Sequence, residues 1–261
     1  MEILQVSTGM PWFWTIVGAG LLSRVLLFPL SVITMKQSVA LIPYQPEVNA
    51  LRLDMVKAQR SGDPLQMQKA VLKQRVLYEK IGVSMPVMMT APFMQLPVTL
   101  GMFFGIKSMC ELPLEQLKWS GLEFLPDLTV TDPTYILPIV ATIAMNVQLT
   151  AGMQDMSAAP QMPHIINFFR VLSLVGIYFM ATLPSGVVVY ITTSIIAMVA
   201  QTFLLRVSFV RRALGVPVLA KGTGNKPASM MESVEYAKKF FSEKMEDAKQ
   251  DAIKARTKGR K

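Results

Sequence analysis

Five stretches of this sequence, residues 12–33, 87–109, 134–152, 165–183 and 186–205, are apolar on every side rather than striped. A stripe repeating every three to four residues would lay a helix against a soluble core. An all-round apolar run of roughly 20 residues instead matches the thickness of a bilayer. The pattern predicts five transmembrane helices. Pro138, Asn146 and Gln148 interrupt the third, which is the least regular. LPSG, residues 183–186, leaves room only for a tight turn, so the last two spans form an antiparallel membrane hairpin.

Between the first two spans the period changes. Residues 46–81 predict a helical hairpin that turns at Gly62, Asp63 and Pro64. Gly suits a left-handed helix end, Asp an N-cap and Pro the first helical position. Leu51, Met55 and Ala58 line one arm, and Leu65, Leu72, Val76 and Tyr78 the other. Two readings fit: a solvated structural loop, or a platform over the membrane that touches clients or moves. LEQLKWSGLEFL, residues 114–125, spaces apolar side chains at helix-like intervals and predicts a helix lying in the interface. Residues 221–229 read as a flexible linker whose Gly-x-Gly fragment lacks the strand and Lys-Ser/Thr ending of a phosphate loop. Ser229 and Glu232 then form a capping box opening a helix to about Lys254, with Val234, Ala237, Phe241, Met245 and Ala248 as its stripe. The chain thus divides into a core, 1–210, and a basic extension, 211–261.

Composition agrees with the pattern. Of 261 residues 52% are hydrophobic and 16% charged, and mean hydropathy is +0.40; these are values of a polytopic membrane protein. The net charge of +9 is unevenly placed. Lys36, Arg52, Lys57, Arg60, Lys69, Lys73, Arg75 and Lys80 lie between spans one and two, and the tail from Arg206 is basic again. Glu111, Glu115, Glu123, Asp127 and Asp132 face only Lys118 between spans two and three. Basic segments stay on the side of synthesis, which predicts N-terminus out and C-terminus in. Trp12, Trp14 and Trp119 then fall at the outer interface. Cys110, the single cysteine, excludes an internal disulfide framework and a multi-cysteine metal site. The first span begins almost at once with no small-residue cleavage site, so no cleavable signal peptide is expected.

The candidate chemistry begins with Arg24, which stands in the first span, twelve residues and roughly 18 Å from Trp12. An intramembrane charge costs at least ~2.5 kcal/mol and requires a partner or water. None of the five spans contains Asp or Glu, so an intramembrane salt bridge is excluded and water remains. Polar groups recur at comparable depth: Gln95 and Thr99 on span two, Asn146 and Thr150 on span three, Ser173 on span four, and Thr192, Thr193 and Ser194 on span five. Each could serve a helix–helix hydrogen bond. Together they predict a positively charged polar groove, open to the inside and closed toward the outside, suited to an acidic polypeptide segment. The 20 methionines suit varied apolar partners or irregular core gaps. His164 is the single histidine; a His-based triad or metal centre has nothing to assemble from, and no catalytic residue, cofactor or metal is expected. The basic helical tail suits anionic lipid, ribosomal RNA or plain solvation.

SRVLLFPL (23–30), YQPEV (44–48), LYEKIGV (77–83), PFMQLPV (92–98) and LPSGVVVYITTS (183–194), in register with this topology, resemble the YidC/Oxa/Albino membrane protein insertases. The resemblance covers about residues 10–210. It implies an all-α, five-span core around a hydrophilic groove, a groove arginine at Arg24 and a helical hairpin at 46–81. It further implies a non-enzymatic insertase that moves client segments, especially short acidic tails, into or across the membrane without consuming a nucleotide. Residues 127–138 and the basic tail are most similar to the mitochondrial Oxa branch, whereas Ser84-Met85-Pro86 departs from the Asn-Pro common in bacterial members. That branch implies a multi-pass protein of the mitochondrial inner membrane, N-terminus in the intermembrane space and C-terminus in the matrix. Implied partners are nascent membrane proteins, the lipid bilayer, a second copy of the chain, and the large subunit of the mitochondrial ribosome. The ribosome would meet Lys238, Lys239, Lys244, Lys249, Lys254, Arg256, Lys258, Arg260 and Lys261. Two alternatives stay open, an anion-conducting channel or transporter and a dedicated respiratory-complex assembly scaffold. Against the first stands the absence of an internal repeat.

Overall fold

The computed structural model describes residues 1–112, 115–123, 125–155, 161–216 and 228–258. Its order is α1 (Glu2–Thr8), α2 (Trp12–Leu41), a 3-10 turn (Ile42–Tyr44), α3 (Gln45–Ser61), α4 (Pro64–Ile81), α5 (Met85–Glu111), α6 (Glu115–Lys118), α7 (Ile136–Asp155), α8 (Met162–Ala181), α9 (Ser185–Leu204), α10 (Ser208–Ala213) and α11 (Met230–Lys258). Among the described residues there is no strand, only two isolated bridges. The helices α2, α5, α8 and α9 are long and apolar enough to cross a membrane, whereas the apolar part of α7, Ile136–Gly152, is shorter.

The first predicted span continues past its expected end. Pro29 sits inside α2 without stopping it, and the helix passes through the 3-10 turn into α3. Gly62 takes φ 67, the Asp63 carboxylate accepts the Leu65 N–H at 2.9 Å, and Pro64 opens α4. The helices α3 and α4 pack on one another. Leu41, Val48, Leu77, Tyr78 and Val83 bury a small cluster at their base. There the Ser84 N–H donates to the Gln37 side-chain carbonyl at 2.8 Å.

At the centre, α9 packs against α2, α5 and α7, while α8 lies against α7 and α11. The main core occupies the end of the bundle remote from the helix pair. It gathers Trp12, Phe13 and Ile16 of α2, Ile106 and Cys110 of α5, Val187–Tyr190 of α9, and Leu117, Leu125 and Leu128 of the connecting loop. The interfacial helix expected over 114–125 is largely replaced by irregular chain. After the four residues of α6 the loop folds over the bundle, and Leu117 and Leu125 go into the core instead of facing lipid. Cross-chain hydrogen bonds outweigh the helical spacing here. The Phe13 N–H donates to Ser120 O at 3.1 Å, Trp12 Nε1 to Gln116 Oε1 at 3.0 Å, Ser185 N–H to Val130 O at 2.7 Å, and Gly186 N–H to Leu128 O at 2.9 Å. Gly186 allows that approach: a Cβ there would lie 3.0 Å from Cys110 Sγ and 3.3 Å from Leu128 O.

Asp132 explains where α7 starts. Its carboxylate, 3% exposed, accepts the Thr134 hydroxyl at 2.6 Å, the Thr134 N–H at 2.8 Å and the Leu137 N–H at 3.1 Å. These bonds satisfy the orphan donors of a helix start. Burial alone would push this carboxyl up, but the Thr134, Leu137 and Tyr135 hydrogen bonds hold it below the ordinary carboxylate range. The charged form is therefore favoured on folding. The clasp's contribution is fully present above the unfolded value of about 3.9 and is lost as pH falls through the lowered folded value. Asp132→Asn is expected to lower the thermal midpoint of the detergent-solubilised chain at neutral pH and to flatten its decline below about pH 4. Parallel acid slopes for variant and parent in thermal unfolding would remove Asp132 from that role.

Candidate functional site

A cavity of about 360 Å³ opens in the other half of the bundle, toward the helix pair. Along α2 its wall is Arg24, Leu27, Ser31, Thr34 and Ser38, residues three to four apart and hence on one face. Met198, Gln201, Thr202 and Leu205 repeat that spacing along α9 and just beyond it, Gln148 and Gly152 do so on α7, and Gln95 comes from α5. Arg24 is the one charged residue among the lining, and no carboxylate is among them. Gln148 Nε2 donates to Thr202 Oγ1 at 3.1 Å across the α7–α9 contact, and Thr99 spends its hydroxyl on Gln95 O at 3.0 Å. Just after Leu205 in the chain, Arg206 donates to Ala151 O, and buried Arg211 donates through Nε to Leu205 O at 2.9 Å.

Cavity and core divide the same helices. On α2 the core takes residues 12–16 and the cavity begins at Arg24; on α9 the core takes 187–190 and the cavity begins at Met198. A half-open chamber lined by polar side chains and by Leu27, Leu30, Met35, Met198 and Leu205 therefore ends against an apolar plug covered by the loop. The lining residues do not continue into the plug.

The other polar residues singled out in the sequence are distributed over helix contacts. Asn146 Nδ2 donates to Ser173 Oγ at 3.0 Å, tying α7 to α8. Thr150 accepts from Arg170 Nη2 at 2.8 Å on the same seam. Thr193 packs against Gly20 of α2, and the buried Ser194 Oγ has no hydrogen-bond partner. Thr192 reaches Leu137 O at 3.4 Å. Among the described residues no group of three His, Cys, Asp or Glu side chains converges as a metal site.

Arg170 was missed by sequence reasoning, although it stands eight residues into α8 and is as visible in an apolar run as Arg24. Its Nη1 donates to Asn167 Oδ1 at 3.1 Å, which turns the Asn167 amide toward the C-terminal helix. There Asn167 Nδ2 donates to Ala228 O at 2.9 Å and Ser233 Oγ at 2.8 Å. His164 lies in the first turn of α8, 3.0 Å from Ser233 Oγ through Nδ1 and stacked 4.2 Å from Tyr236. The start of α11 is thus latched to α8. The Ser229 N–H donates to Glu232 Oε2 at 2.9 Å, one half of the capping box. Lys238, Lys239, Lys244, Lys249, Lys254, Arg256 and Lys258 all fall within α11. Arg260, Lys261 and nearly all of the expected linker lie outside the described residues.

The sequence model of the family described as 60Kd inner membrane protein matches residues 3–212. The chain is similar to the mitochondrial inner membrane protein OXA1L of Mus musculus, 29% identical over 217 residues, covering 83% of this chain and 50% of that protein. It is similar also to the mitochondrial inner membrane protein OXA1 of Saccharomyces cerevisiae, 28% identical over 221 residues, 85% of this chain and 54% of that protein. The OXA1L of Bos taurus is 26% identical over 217 residues, 83% and 49%. The chain spans about half the length of these relatives.

Proposed function

Because the chain belongs to the 60Kd inner membrane protein family, we propose that it is a membrane protein insertase. Its relatives' names place them in the mitochondrial inner membrane, and we extend that location to this chain. The observation that carries the mechanism is the cavity holding Arg24, without a carboxylate among its lining residues, backed by an apolar plug.

In this reading α2, α5, α7, α8 and α9 are five spans, with the N-terminus on the intermembrane-space side and the helix pair and α11 on the matrix side. A client's short acidic tail leaves the matrix and enters the polar chamber. Arg24 offsets part of the cost of carrying its carboxylates out of bulk water, and water in the chamber shortens the apolar distance left to cross. Exposed apolar residues on α5, Phe93, Met94, Leu96 and Leu100, offer the client's hydrophobic segment a path into lipid. The chemistry is partition and electrostatics, with no covalent step and no catalytic residue. Coupling to translation and to respiratory-complex assembly would run through the basic tail. The apolar plug weighs against an anion channel, which needs a polar path across the whole bilayer.

The test is protease protection of a short single-span client translated beside liposomes holding the purified full chain. Protection of its N-terminal tail above the level of empty liposomes is expected. Anion flux through the same liposomes without client protection would replace insertase by channel.

A further inference from the structure

We propose that Arg170, held in place by the Thr150 hydroxyl, forms a phosphate-binding site for an anionic phospholipid of the leaflet on the helix-pair side. The inference rests on α8 crossing the bilayer, and does not depend on insertion activity.

Arg170 is a permanent cation in an apolar helix. Its two hydrogen bonds go to neutral acceptors, Asn167 Oδ1 and Thr150 Oγ1. A guanidinium has five N–H donors, so hydrogen-bonding capacity remains. The described ion pairs are Arg75–Glu79 and Lys107–Glu111, and neither involves Arg170. Among the described residues no carboxylate pairs with its charge, in a helix where compensation is valuable.

The direction of the side chain sets the depth. Arg170 reaches back to Asn167, one turn nearer the start of α8, the way helical side chains lean. Asn167 is five residues from Met162, and Thr150 five residues from the end of α7. Both are roughly 8 Å from their helix ends, near the boundary between headgroups and hydrocarbon. Phosphodiesters reside close to that level.

The site is separate from the Arg24 chamber. Gln148 and Gly152 line that chamber, and Thr150 lies about 200° around α7 from Gln148 at 100° per residue. Exposed Phe168, Val171, Leu172 and Val175 flank Arg170 along α8. They give acyl chains an apolar surface beside the cation, which favours a lipid over a client carboxylate. The lipid would also rest against the residues that hold the start of α11, through the Arg170–Asn167 bond.

The experiment is native mass spectrometry of the full chain released from nanodiscs of equal parts phosphatidylcholine and phosphatidylglycerol. The parent is expected to retain phosphatidylglycerol preferentially. Arg170→Gln should reduce that retention about tenfold, the value of one charge-assisted hydrogen bond. Arg170→Lys should keep a substantial part, and Lys107→Gln, an intramembrane cation elsewhere, should match the parent. An unchanged melting temperature for Arg170→Gln guards against misfolding as the cause. Equal retention of both lipids by the parent, or undiminished phosphatidylglycerol on Arg170→Gln, overturns the proposal. So does displacement of the lipid by a soluble acidic peptide, which would make the site a client station.

Discussion

Arg24→Glu is expected to slow insertion of clients with acidic tails by roughly ten- to a hundredfold while leaving neutral-tailed clients within about twofold. Two unit charges about 8 Å apart interact by ~2 kcal/mol at an effective dielectric constant of 20. Reversing the sign of one changes that by ~4 kcal/mol, an upper bound near a thousandfold in rate. Water in a half-open chamber of about 360 Å³ screens part of it. The variant should fold, because a glutamate in the same chamber has the same water and the same glutamine, serine and threonine neighbours. Arg24→Lys should recover most of the rate, since the role needs positive charge more than a bidentate fork. The check is the initial rate of protease protection for a matched client pair differing only in tail acids. Equal slowing of both clients would assign Arg24 to folding or hydration of the chamber and would remove the electrostatic step.

Removal of residues 222–261 is expected to abolish cosedimentation with mitochondrial ribosomes while the helical core still folds. The segment contains α11 with its run of lysines. Contacts of this kind release counterions and are additive in charge, so losing the whole helix outweighs any single lysine. The core survives because α11 touches it mainly through the start of α8. Asn167 and His164 lose Ser233, Ala228 and the Tyr236 stack, but they sit two turns or less from the start of α8, where water replaces those partners. The expected cost to the core is therefore a modest lowering of its melting temperature. Undiminished cosedimentation at physiological salt would place the ribosome contact elsewhere, with the basic helix pair next in line.

Much of the architecture was legible because its determinants are local. The turn at Gly62–Pro64 needs a left-handed residue, a cap and a fixed φ, and those residues stand in that order. Ser229 and Glu232 announce the start of α11 in the same way. The third span was the hardest to read. Its first turn is shaped by Asp132 reaching across to Leu137, and its apolar run is short because the loop before it folds into the core. The stretch 114–125 misled for a related reason: its helix-like spacing of Leu and Phe is outvoted by the bonds that Phe13 and Trp12 of α2 make to Ser120 and Gln116, which no local window contains.

By itself the sequence determined that the chain is a bundle of apolar helices interrupted by a few cations, with basic residues between the first two apolar runs and acidic ones between the next two. All-round apolarity and charge placement are properties of composition along the chain, and they need no partner to be read. Only the tertiary structure decided which polar residues share a chamber. Gln95, Gln148, Gln201 and Thr202 join Arg24, whereas Asn146, Ser173 and Thr150 serve the α7–α8 seam and Thr193 the α2–α9 seam. The reason is physical. A helix apolar on every side has no stripe that fixes its rotation, and lipid supplies no hydrophobic force to choose an inner face. That rotation is set by close packing and by the few hydrogen bonds between helices, and it decides whether a threonine meets water, a neighbouring helix or lipid.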